Sequence, residues 1–125
     1  MKRETQIEVL MVEPGKRPYR TTIDNTLEAM QQKVGGLIEC VVLDEEAILV
    51  CNDEGKLIGM EGNRRLGSDI IAGPFFIAGD DGEAFQSLPK EKLEQYEKQF
   101  ETPETFTAEE VQATCRMHFF SFDSY

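Results

Sequence analysis

Residues 70–78 read IIAGPFFIA. The run is apolar enough for a buried strand, but Pro74 stands in its middle. Proline has no N–H to give to a sheet ladder, so a strand through Pro74 is expected at a sheet edge or with a bulge there. Gly79-Asp80-Asp81-Gly82 closes the run as a turn. Upstream, LIECVVL (37–43) and AILVC (47–51) are strand candidates joined by Asp44-Glu45-Glu46. The turn Asn52-Asp53-Glu54-Gly55 then leads to Lys56–Met60, read as a short edge strand.

Earlier still, QIEVLMVE (6–13) alternates Ile7, Val9 and Met11 with Glu8, Leu10 and Val12. Pro14-Gly15-Lys16-Arg17 is a turn, and PYRTTI (18–23) returns from it to make a hairpin. Asp24-Asn25-Thr26 supplies side-chain oxygens that cap the helix LEAMQQKV, with Leu27, Met30 and Val34 as its apolar stripe. Gly35-Gly36 ends that helix. Further on, Ser87 is placed to cap a helix over 88–100, with Leu93, Tyr96 and Phe100 facing inward. Thr107 and Glu110 form a capping box for another helix running to about Arg116. The tail HFFSFDSY either completes the core or covers an interface between copies, because three Phe rarely stay in water.

The pattern predicts an α+β fold: one domain over 1–125, with a compact body at 1–82 and a helical extension at 87–125. A curled mixed sheet carrying one packed helix, β-grasp-like, is the expected arrangement. The chain has 125 residues and a formal net charge of -11. Such charge repels nucleic-acid phosphates and anionic membranes at long range, so direct nucleic-acid or membrane binding is not expected. No apolar run approaches a membrane span. Cys40, Cys51 and Cys115 are scattered, which fits buried thiols in a reducing cytoplasm.

Catalytic chemistry finds little to use. His118 is the one histidine, and Cys115 three residues before it lacks the surroundings an activated thiol needs. No metal-ligand spacing is present, and no cofactor is expected. The segment Gly62-Asn63-Arg64-Arg65-Leu66-Gly67-Ser68 stands out instead. Its forked guanidinium donors, flanking glycines and neutral Asn63 and Ser68 have the parts of an anion grip. Lys16 and Arg17, with Tyr19 nearby, make a second basic spot that would complete a pocket if the two turns converge. The alternative is that the arginine pair balances acidic neighbours such as Glu61 or Asp69.

Four motifs resemble one family as a set: VEPGKRPY (12–19), IDNTLEAMQQKVGGLIE (23–39), CNDEGKLIGMEGNRRLGSDIIAGPFFIAGDDGE (51–83) and SLPKEKLEQYEKQF (87–100). The family comprises small proteins of phages and integrative mobile elements of Gram-positive bacteria. It is catalogued as domain of unknown function thirty-eight forty-six. The resemblance covers about 7–100 and implies a setting similar to that of counter-defence genes, with no reaction or cofactor attached. The expectation is a non-enzymatic protein of the host-cell cytoplasm that sequesters a small anionic, nucleotide-like ligand, possible as a homo-oligomer. The alternative is an acidic antagonist that imitates DNA to a restriction or other defence nuclease.

Overall fold

The computed structural model describes residues 4–114. Pro74 lies between two strands rather than inside one. β6 (Asp69–Ala72) ends before it and β7 (Phe75–Asp80) begins after it, with β5 (Gly62–Leu66) preceding both. β5 and β6 form a two-stranded ribbon, while β7 runs through the middle of the main sheet. The expected edge position for residues 70–78 is therefore corrected. The missing N–H of Pro74 falls in the connection, where no ladder bond is required. Gly73 makes the change of direction: its φ is +83°, and a Cβ there would collide with Met60 Sδ.

The main sheet has the order β2-β1-β7-β4-β3, with β8 (Phe85–Gln86) paired to β7. β1 spans Gln6–Val12, β2 Tyr19–Asp24, β3 Ile38–Val42 and β4 Ala47–Asn52. The α+β class holds. Every pairing among the described residues is antiparallel, in place of the mixed sheet expected, because β7 inserts between β1 and β4 and runs opposite to both.

Both faces of this sheet are covered. Helix α1 (Leu27–Val34) sets Met30 and Val34 against Ile7, Val9, Ile48, Val50 and Phe76. Helix α2 (Lys90–Gln99) sets Leu93 and Tyr96, with Phe100 behind them, against Leu10, Val12, Leu49, Phe75 and Ile77. Two-sided cover explains why β1 stops alternating after Glu8: Leu10 and Val12 face α2 while Val9 and Met11 face α1. Phe75 and Phe100 meet edge to face at 5.4 Å, a favoured aromatic geometry.

Thr26 caps α1 by accepting the Ala29 N–H at 3.1 Å, and Gly35 closes it at φ 82°. Leu27 does not join the buried stripe; it is 57% exposed and lines an open cavity. Ser87 does not cap α2. Its Oγ accepts from the Glu8 N–H at 2.9 Å and donates to Glu4, tying the chain to β1 instead. Residues 56–60 form turns rather than an edge strand, closed by Ile58 N–H to Glu54 O and Met60 N–H to Gly55 O. The Thr107–Glu110 capping box is present with both bonds, at 2.8 and 3.1 Å, and residues 108–114 form α3. Val111 and Phe106 pack on Ile70, Ala72 and Met60. Cys115, His118 and the HFFSF tail lie outside the described residues.

Gly73→Ala is expected to lower the urea midpoint of unfolding by the equivalent of roughly 1–2 kcal/mol for the left-handed backbone alone, and further through the Met60 contact. An unchanged midpoint would contradict the role given to Gly73.

Candidate functional site

The segment singled out in the sequence is largely internal. Asn63 and Arg64 are both 0% exposed. Asn63 donates from Nδ2 to Val12 O at 3.0 Å and to Gly73 O at 2.9 Å, and its Oδ1 accepts from Arg64 Nη1 at 2.8 Å. Arg64 donates from Nε to Phe100 O at 3.0 Å, from Nη1 also to Asn63 O at 3.2 Å, and from Nη2 to Lys16 O at 2.5 Å. One guanidinium thus ties the β1–β2 turn, the end of α2 and strand β5 together.

Among the described residues no carboxylate pairs with this buried cation. Burial pushes its pKa below the ordinary value, opposed by the field of Glu104. Phe100 is the C-cap of α2, and a helix C-terminus carries roughly half a negative charge. That partial charge stands where a carboxylate would otherwise be needed. The β1–β2 turn and strand β5 therefore meet at Arg64. They converge through main-chain carbonyls, and the central arginine of the expected grip is turned inward.

The other candidates divide. Arg65 is exposed, with its guanidinium carbon 5.4 Å from the Phe106 ring centre and its main-chain N–H donating to the Glu104 carboxylate. Gly62 is needed because a Cβ would meet Phe106 and Val111 at 2.9 Å. Gly67 shapes the ribbon turn at φ 62°, and Ser68 beside it is exposed. Lys16 is exposed and pairs loosely with Glu13. Arg17 lines a groove between the β1–β2 turn and α2 with Pro18, Arg20, Glu94, Glu97, Lys98 and Glu101. Arg20 is already held in a two-pronged pair with Glu97, both contacts 2.8 Å.

Tyr19 is engaged as well, its hydroxyl donating to Glu13. That bond, aided by burial, pushes the phenol up to about 12 from 10.0. Cys40 is exposed and Cys51 buried, so the expectation of buried thiols holds for one of these two. Burial, then the field of Glu39, pushes the Cys51 thiol up to about 12, an inert state.

The opposite end of the sheet has a different character. β1 and β7 pair Val12 with Phe75, so the β1–β2 turn lies where β7 begins. β4 and β7 pair Ala47 with Gly79, so the loops before β4 and after β7 lie where β7 ends. There the Asp80 N–H donates to Glu46 O at 3.1 Å, joining two acidic turns. Asp44, Glu45, Glu46, Asp80, Asp81 and Glu83 form one rim. Lys92 reaches it, 3.2 Å from Asp44. Both α1 and α2 begin near this end, so their partly positive N-termini moderate the repulsion among the carboxylates. In the sequence these short acidic turns read as separate solvated loops, since only the register of β4 with β7 brings them together.

Next to the rim lies a cavity of about 300 Å³, lined by Asn25, Leu27, Met30, Ile38, Asp80, Glu83 and Phe85 among others. Sequence reasoning missed it. The available signal was the surplus of cap formers in Asp24-Asn25-Thr26, of which Thr26 alone caps α1. No group of side chains suited to a metal ion occurs among the described residues, and none of their helices is long and apolar enough to cross a membrane.

Residues 7–101 match the family described as Domain of unknown function (DUF3846). That match spans most of the chain, and the protein belongs to this family. No curated protein and no solved structure matches it.

Arg64→Met should destabilise the fold by on the order of 3 kcal/mol or more, because three elements lose charge-assisted bonds and buried carbonyls lose donors. Arg65→Ala and Ser68→Ala should stay within about 1 kcal/mol of the parent. Equal, small effects in chemical denaturation would contradict the clasp.

Tyr19 supplies a second expectation. Its folded pKa exceeds the unfolded value, so its contribution to stability is complete below pH 10 and fades as pH rises toward about 12. Absorbance titration should show a phenol ionising near 12, which Glu13→Gln returns toward 10; an unmoved titration would break the pairing.

Proposed function

We propose that this protein works without catalysis, by presenting its acidic end to a basic surface on another protein and competing there with nucleic acid. The observation that carries the reading is the Asp80–Glu46 main-chain bond, which fuses two acidic turns into one rim of six carboxylates. Four of those, Glu45, Glu46, Asp81 and Glu83, are exposed. A local concentration of like charge on a chain of net -11 attracts a basic cleft over about one Debye length, roughly 8–10 Å at ordinary salt. The phage and mobile-element setting implied by the family resemblance makes a defence nuclease of the host cytoplasm the first class of target, and counter-defence the role.

Capture of a small anionic ligand becomes the second reading. Asn63 and Arg64, its central side chains, are committed to internal carbonyls. It keeps one favourable observation: Arg17, Arg20 and Lys98 line the same groove. Glu94, Glu97 and Glu101 line it too, and they oppose an anion there.

The test is retention of DNA-binding proteins from a host lysate on the immobilised protein. Wild type should retain basic nucleases, release them in high salt, and be displaced by duplex DNA. Neutralising Glu45, Glu46, Asp81 and Glu83 to their amides should abolish retention while the fold persists. Retention unaffected by salt and by those changes would overturn the reading. A bound nucleotide lost in Arg17→Ala would move the assignment to the groove.

A further inference from the structure

The cavity beside the rim is lined by carboxylates, by apolar side chains and by Asn25. Asn25 is 7% exposed. Its Nδ2 donates to Glu4 O at 2.9 Å and to Phe85 O at 3.0 Å, and these two carbonyls fix which way the amide points. Oδ1 is consequently left buried without a partner. Asn25 also lines the cavity, and so do Asp80 and Glu83 from the rim.

We infer that this cavity receives the side chain of an arginine or lysine from a partner protein. Two features of the lining select that chemistry. Asp80 and Glu83 favour a positive group, since their two charges outweigh the roughly half charge at the N-terminus of α1. Leu27, Met30, Ile38 and Phe85 provide apolar wall for the alkyl stem of a long basic side chain. At about 300 Å³ the cavity is at the small end of ligand sites and has room for one long basic side chain. Leu27, apolar yet 57% exposed at the mouth, acquires a role as the contact for that stem.

A side chain is favoured over a free polyamine because the cavity opens on the rim, sharing Asp80 and Glu83 with it. A basic protein surface drawn to the rim brings such a side chain to the mouth. This inference rests on the rim reading for the source of the cation, but the cavity's preference for a cation can be measured without it.

The experiment is calorimetric titration of the intact protein with acetyl-arginine amide, acetyl-citrulline amide and spermidine. Citrulline keeps the shape and loses the charge. The arginine amide should bind saturably, with citrulline at least about tenfold weaker and spermidine weaker than arginine. Leu27→Lys, at an exposed position, should abolish binding without lowering thermal stability. Asp80→Asn with Glu83→Gln should weaken it about tenfold; the asparagine oxygen can still accept the Gly82 N–H that Asp80 accepts in the parent. No saturable arginine binding, or equal binding of citrulline, overturns the site. Tighter spermidine binding overturns the protein side chain as occupant. If the Leu27→Lys protein still retains basic proteins as wild type does, the cavity assignment fails while the rim reading stands. If arginine binding is intact but rim neutralisation leaves protein retention unchanged, the rim reading fails alone.

Discussion

A buried guanidinium without a carboxylate holds this molecule in register. Arg64 reaches the carbonyls of Lys16 and Phe100 and the side chain of Asn63, and Asn63 in turn reaches Val12 and Gly73. These contacts join β1, the turn after it, the ribbon β5–β6, the crossing into β7 and the end of α2. Arginine suits this because its donors are fixed in one plane and it stays protonated. The helix C-terminus at Phe100 supplies the negative partner as a dipole rather than as an ion. A lysine has no such planar fork, and an apolar residue would strand the carbonyls.

The internal clasp also sets which charges remain at each end of the molecule. With Arg64 and Asn63 committed inside, the basic end retains Lys16, Arg17 and Lys98, and Arg20 there is paired with Glu97. The acidic end has no comparable neutralisation among the described residues beyond Lys92 at Asp44. The molecule thus has one end of mixed charge and one acidic end. The cavity lined by Asn25, Asp80 and Glu83 opens at that same end.

Much of the fold was legible in the sequence. Strands β1 to β4, the Thr26 cap, the Gly35 stop and the Thr107–Glu110 box follow from local rules and appear at the expected places. Pro74 was legible as a disturbance but not as a boundary, since an apolar run does not reveal that its halves belong to different sheets. The arginines show the sharper limit. Exposed and buried guanidinium groups look alike in sequence, and only the fold shows that Phe100, thirty-six residues away, brings a carbonyl to Arg64. The rim is invisible for the same reason, because Glu46 and Asp80 become neighbours only through the pairing of β4 with β7.

The most direct measurement is amide chemical-shift mapping of the isotope-labelled protein during addition of a short arginine-rich peptide. The moving resonances should belong to residues 25–30, 44–46 and 80–85, with those of 62–68 at rest. Shifts confined to residues 16–20 and 63–68, or spread evenly over all exposed carboxylates, would contradict the rim reading.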